Sequence, residues 1–248
     1  MSQIVDYKGH LELMKNHLNA HKAVLFVGAG FSRNAEPKYA EIKTRFKTWT
    51  EFMEQLGSRL WPEIYVDDKD KFWEKINGNH LLVAQLFQEE FGIETFYNEL
   101  LQAVPYRDFE PSQIHKDLLS LGWRDIITTN QDLLLEQTLE ALHQQFDVVI
   151  DDLDIPIKNE LRKVYKMHGC MTRPSSVIFT EEQFRTYERL HPLMHVKLKA
   201  IFAEYTVAFV GFSLTDPNFK AIYGWVSDVL TRELVPPQYC RIALEVGG

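Results

Sequence analysis

Ala23-Val24-Leu25-Phe26-Val27-Gly28-Ala29-Gly30 is the stretch whose reading decides the fold. Its first five residues form a continuous apolar run with no polar alternation. Such a run reads as a short strand buried on both faces, and the glycines that stop it read as a tight turn. Upstream, Leu11, Leu13, Met14 and Leu18 recur at roughly helical spacing, which predicts an amphipathic helix over Tyr7 to Asn19. Downstream, a dinucleotide-type fold offers a second strand soon after the turn, ending in an acidic residue. This sequence offers apolar stripes instead. Trp49, Phe52, Met53, Leu56 and Leu60 form one; Leu81, Leu82, Leu86 and Phe87, then Phe96, Leu100 and Leu101, suggest others. The stretch from about 40 to 110 therefore reads as a helical insertion after the first strand.

Strand signals then return. Asp125–Thr129, Val148–Ile150, Val164–Met167, Val177–Phe179, Thr206–Val210 and Arg241–Val246 are β-rich runs, and a helix is expected from Leu133 to Leu142. Strands alternating with helices predict an α/β fold: a Rossmann-like parallel sheet with helices on both faces. The whole of 1–248 is expected to be one such domain. The abrupt ending in Gly247-Gly248 suggests the N-terminal part of a longer protein.

Composition narrows the function classes. The chain has 248 residues, 45% of them hydrophobic and 25% charged, an ordinary globular balance. A formal net charge of -8 weighs against direct nucleic-acid binding, which needs a basic face. Two cysteines, Cys170 and Cys240, cannot build a four-thiolate zinc site or a secreted-type disulfide framework. No apolar run reaches the roughly 18–20 residues that span a bilayer, and no signal peptide is visible. The expectation is a cytoplasmic protein with no membrane association and no bound metal.

Four strand ends carry residues suited to chemistry. Gly28-Ala29-Gly30-Phe31-Ser32 lets backbone approach a pyrophosphate, although Arg33 stands where a third glycine would complete the usual fingerprint, and a turn that binds nothing has the same pattern. Thr128-Thr129-Asn130-Gln131-Asp132 would face a ligand with an amide and a carboxylate; either polar residue equally serves as a helix cap. Lys166-Met167-His168-Gly169 places an imidazole, suited to proton transfer near neutrality, at a strand end. Gly211-Phe212-Ser213 follows an apolar strand and could form a second phosphate- or ribose-contacting loop; Asp216-Pro217 beyond it is also a good helix start.

In that order, Gly-Ala-Gly-x-Ser, Thr-Thr-Asn-x-Asp, His-Gly and Gly-x-Ser-Leu resemble the sirtuin (SIR2) superfamily. The flanking text of Ile114-His115, Trp123 to Asn130, Met167 to Cys170 and Phe209 to Asn218 looks like the SIR2-like domains of bacterial anti-phage defence proteins. The resemblance runs from about Ala23 onward. It implies that Gly28, Ala29, Gly30 and Ser32 hold the NAD pyrophosphate and that Gly211 and Ser213 contact the adenosine half. It assigns Asn130 to the nicotinamide ribose and the attacking group, Asp132 to the nicotinamide pocket, and His168 to general-base catalysis. The chain lacks the two Cys-x-x-Cys pairs and the Gly-Ile-Pro-Asp-Phe-Arg stretch of deacetylating sirtuins. The resemblance therefore implies an NAD hydrolase (NADase) that cuts the nicotinamide–ribose bond, with NAD as substrate and no metal. NAD depletion in anti-phage defence by abortive infection is the expected role. A protein deacylase, an ADP-ribosyltransferase and a non-catalytic NAD- or ADP-ribose-binding module stand as alternatives. Control is expected through homo-oligomerisation and a C-terminal sensor domain or partner protein.

Overall fold

A computed structural model of the chain describes residues 7–156, 161–212, 217–232 and 243–244. Its strands are β1 (Ala23–Val27), β2 (Glu36–Pro37), β3 (Phe109–Glu110), β4 (Ile126–Thr128), β5 (Phe146–Val149), β6 (Arg162–Lys166), β7 (Thr206–Val210) and β8 (Ala243–Leu244). Six of them make one sheet, in the order β5-β6-β4-β1-β7-β8. Every pairing in it is parallel. From β1 the chain adds β4 on one side, then β5 at the outer edge with β6 filling the place between them, and crosses to the other side with β7. The build direction thus reverses at β1, the kind of switch point at which open α/β sheets form a crevice.

β1 is buried along its full length because both faces of the sheet are covered. Ala23, Leu25 and Val27 point into one core, and Val24 and Phe26 into the other. The first core is roofed by α1 (Tyr7–Asn19), α8 (Gln113–Leu119), α9 (Leu134–Ala141) and the insertion, through Met14, Leu119, Leu134 and Phe52. The second lies under α10 (Glu181–Leu190), α11 (Pro192–Glu204) and α12 (Pro217–Arg232), through Tyr187, Leu198 and Ile222. The α/β reading and the helices on both faces hold.

The insertion contains α3 (Trp49–Leu60), α4 (Pro62–Asp67), α5 (Lys69–Ile76), α6 (His80–Phe91) and α7 (Ile93–Ala103), after the single turn α2 (Ala29–Ser32) that follows β1. Its apolar stripes pack on one another: Phe52, Met53 and Leu56 of α3 are buried with Val83 and Phe87 of α6 and Phe96 and Leu100 of α7. A capping box starts α3: Glu51 N–H donates to Thr48 Oγ1 at 3.2 Å, and Thr48 N–H donates to the Glu51 carboxylate at 2.7 Å. β2 and β3 pair antiparallel, Glu36 with Glu110 and Pro37 with Phe109, so the insertion enters and leaves through one neck.

One strand reading is corrected. Val177–Phe179 is not a strand; it runs as irregular chain between a 3-10 turn at Pro174–Ser176 and the start of α10. All three side chains are buried, Val177 and Phe179 in the core shared with the insertion and Ile178 in the core on the opposite face, and three apolar residues carry no period that separates the two cases. Of the last expected strand, Ala243–Leu244 forms β8, and the remainder lies outside the described residues. Among the described residues no helix is long and apolar enough to cross a membrane.

Candidate functional site

The parallel registers align four strand ends. Val27 pairs with Thr128 and with Val210, and Thr128 pairs with Lys166. Two residues beyond that level stand Ala29, Asn130, His168 and Phe212. Asn130 and His168 therefore emerge at the same height from neighbouring strands, which lie about 4.8 Å apart in a sheet. Ser213 lies outside the described residues.

The two glycine loops interlock. Gly28 N–H donates to the Val210 carbonyl at 3.1 Å and Gly30 N–H to the Gly211 carbonyl at 2.9 Å. Gly211 has φ +61°, and a Cβ on it would stand 2.6 Å from Phe31 N. A Cβ on Gly30 would stand 2.7 Å from Gly211 Cα. Glycine is thus required on both sides, since no side chain fits where the backbones touch. The first loop spends part of its N–H set on this contact, because Phe31 N–H also turns inward, to the Gly28 carbonyl at 2.9 Å.

A polar network joins the first loop to the asparagine motif. Asn130 Nδ2 donates to the Gly28 carbonyl and to Ser32 Oγ, both at 2.9 Å. Ser32 Oγ in turn donates to Asp132 Oδ2 at 2.6 Å. Thr128 Oγ1 accepts from Asn130 N–H at 2.9 Å and donates to the Val27 carbonyl at 3.0 Å, so the backbone is held as well. Both amide hydrogens of Asn130 are spent, which leaves its Oδ1 as the atom it can offer to a hydroxyl or a water. Asp132 Oδ1 accepts from Leu134 N–H at 3.0 Å, the first backbone donor of α9, alongside its bond to Ser32; the N-cap position itself is Leu133, one residue after Asp132. The Ser32 hydroxyl faces inward and is 2% exposed.

His168 is 5% exposed, its ring edge-on to Phe184 with centroids 4.9 Å apart. Its carbonyl accepts from Ile178 N–H at 3.1 Å. Gly169 follows with φ +79°, where a Cβ would collide with the Ser176 carbonyl. The chain therefore doubles back directly after the histidine.

Two supporting residues escaped the sequence reading. Lys166, fully buried, ties β6 to α9: its Nζ donates to the Asp132 carbonyl and to Glu136 Oε1, the latter at 2.7 Å. Burial is the largest single influence and opposes its charge, but Glu136, Cys170 and Asp132 together hold its pKa above the ordinary lysine value. His115, 1% exposed, accepts Ser112 N–H at Nδ1 (3.0 Å) and so carries its proton on Nε2, which faces the Phe31 carbonyl at 2.7 Å. Burial is the largest influence on it and pushes its pKa down, which keeps the ring neutral. Sequence offered a weak signal for each, a lysine inside an apolar strand and a Ser-x-x-His before a helix.

Residues 124–239 match a family model described as the SIR2-like domain. This part of the chain is therefore similar to SIR2-like domains. The match takes in the asparagine, histidine and second glycine motifs, while the first glycine loop precedes it and is joined to it by the contacts above. The chain is 24% identical over 223 residues to "Defense-associated sirtuin 2" of Bacillus subtilis, covering 89% of this chain and 21% of that protein. It is 27% identical over 240 residues to "NAD(+) hydrolase ThsA" of Enterococcus faecium, covering 95% of this chain and 46% of that protein. It is 25% identical over 231 residues to the ThsA of Bacillus cereus, with 90% and 43% covered. The chain thus spans less than half the length of these relatives. Among its described residues no three His, Cys, Asp or Glu side chains gather as a metal site.

Proposed function

We propose that this SIR2-like domain hydrolyses NAD at the nicotinamide–ribose bond, with Asn130 and His168 as its catalytic residues. The observation that carries the reading is the strand register, which brings these two residues to the ends of adjacent strands, beside the switch point and the two interlocked glycine loops. Similarity to proteins named NAD(+) hydrolase supports the substrate.

In this reading the dinucleotide lies across the ends of β1, β4 and β7. The Gly28-Ala29-Gly30 turn packs against the pyrophosphate, Gly28 and Gly30 by close approach only, since their N–H groups are given to Val210 and Gly211; Gly211 and Ser213 meet the adenosine half, and Asp132 braces the nicotinamide side. Ser32 acts from beneath, by fixing Asn130 and Asp132. The bond between C1′ and the pyridinium nitrogen breaks with its electron pair going to nitrogen, so nicotinamide leaves neutral and needs no acid. Positive charge builds on the ribose, as in glycosidases. A water held by Asn130 Oδ1 adds to C1′ and loses its proton to His168, giving ADP-ribose. General-base help of this kind is worth about 10²–10⁴ in rate. Asn130 and His168 are 8% and 5% exposed, so the crevice must widen when the dinucleotide enters.

The wider role in this reading is NAD depletion in anti-phage defence, gated by self-association and by a sensor region or partner. The test is incubation with NAD at several protein concentrations, following nicotinamide and ADP-ribose by chromatography. Asn130→Ala and His168→Ala abolish product release while circular dichroism stays native. Turnover at the unsubstituted rate by either variant refutes the assignment.

A further inference from the structure

We infer that the helical insertion sets the position of His168, and that Tyr97 and Phe179 are the positioning residues through which it acts; the inference rests on the reading of His168 as the general base.

The loop from His168 to Phe179 is closed on itself. Ile178 N–H returns to the His168 carbonyl, and Cys170 N–H donates to Ser176 Oγ at 3.0 Å. A closed loop moves as a unit, so its anchors decide where the imidazole stands. One anchor is the sheet: Met171 N–H donates to the Gln131 carbonyl at 2.9 Å, next to Asn130. Others come from the insertion. The Tyr97 hydroxyl, from α7, donates to the Met171 carbonyl. The Phe179 ring, adjacent to Ile178, stacks on Trp49 with centroids 5.1 Å apart and planes 18° apart. Phe52 and Phe96 meet the same ring edge-on at 5.8 Å and 5.5 Å. Just beyond the loop, Glu182 N–H donates to Gln85 Oε1 of α6 at 3.1 Å.

Three insertion helices therefore grip both ends of the histidine loop. Catalysis is sensitive to this kind of support, since a 1 Å misplacement of a reacting group can cost about 100-fold in rate. Ground-state binding of NAD by the glycine loops does not depend on these contacts. The insertion is accordingly a part of the catalytic apparatus, and a displacement of α3 or α7 is transmitted to the base with no contact to the substrate.

The experiment uses Tyr97→Phe, which removes one hydroxyl and keeps the ring, and Phe179→Leu, which keeps an apolar plug and loses the stacking. Expected for each is a fall in kcat of about tenfold or more with KM for NAD within about twofold. Tyr65→Phe, which removes an insertion hydroxyl bonded to Glu54 and remote from the loop, keeps the unsubstituted kcat. Thermal melts accompany every variant, and where Phe179→Leu does not fold, Tyr97→Phe decides. An unchanged kcat in Tyr97→Phe, a raised KM at constant kcat, or a loss that only follows the folded fraction overturns the inference. If His168→Ala itself turns over NAD, the reading beneath it has failed instead.

Discussion

Replacing Ser32 with alanine deletes one oxygen atom and two hydrogen bonds in the centre of the site. The hydroxyl donates to the Asp132 carboxylate at 2.6 Å and accepts from Asn130 at 2.9 Å. A hydrogen bond to a charged acceptor contributes about 1.5–3 kcal/mol and a neutral one about 0.5–1.5 kcal/mol. Asp132 and Asn130 are 5% and 8% exposed, so water does not readily replace the lost partner. Each keeps one other bond, Asp132 to Leu134 N–H and Asn130 to the Gly28 carbonyl, which prevents outright collapse. Loss of a single atom leaves no cavity worth counting. The expected cost is about 2–4 kcal/mol in urea unfolding. Ser32→Ala and Asp132→Ala should be non-additive by at least about 1.5 kcal/mol, because the second change removes a partner already stranded. With one anchor gone the Asn130 amide is free to rotate, so kcat for nicotinamide release falls about 10–100-fold while the melt remains cooperative. A stability cost under about 0.5 kcal/mol, or additivity within that figure, would show that the three side chains do not hold one another.

Gly211→Ala should lower Tm and raise KM for NAD, since its Cβ meets Phe31 N at 2.6 Å; Gly78→Ala, at φ +79° in open space, supplies the control for backbone strain alone. Lys166→Met should cost about 3–5 kcal/mol by stranding Glu136, and Lys166→Met with Glu136→Leu should recover most of that in denaturant titrations. Burial pushes His80, His115 and His195 below the ordinary value of 6.5. A histidine kept neutral in the fold binds its proton later than in the unfolded chain. Stability is therefore intact above pH 6.5 and declines as pH falls toward the depressed folded pKa. Urea midpoints at pH 7.5 and 5.0 should differ accordingly, and His115→Gln, which keeps a donor for Phe31, should reduce the difference. Equal midpoints would contradict the buried neutral rings.

Much of this architecture was legible because fully buried strands announce themselves. β1 is an unbroken apolar run, β4 and β7 are apolar runs with threonine at one end, and the stripes on α3 and α7 carry the 3.6-residue period directly; on α6 the buried face is Val83, Ala84 and Phe87 rather than the expected Leu81, Leu82 and Leu86. The four strand ends were legible as well, since glycine, asparagine and histidine are unusual stops for such runs. Side-chain commitments were not. Ser32 reads as a loop serine available to a ligand, but its partner lies 100 positions away and turns it inward. Lys166 stands in the strand-end motif with nothing nearby in sequence to pair with it, and the approach of Glu136 from α9 supplies the partner of a buried cation. Val177–Phe179 has the composition of a strand and the job of a plug. The clasp of β2 on β3 is two residues long on each side, too short to leave any periodic trace.

The central position of β1 also bears on synthesis at the ribosome. Leu25 pairs with Ile126 and Ala208. At translation rates of about 5–20 residues per second, the nearer partner emerges some 5–20 seconds after β1 does. The nascent chain must carry a naked apolar ribbon through that interval. The helices made in the meantime lie against one side of it, Phe52 and Phe96 sharing a core with Leu25 and Val27. The helices threaded between β1 and β4 are thus made before the sheet partners of the strand whose face they cover.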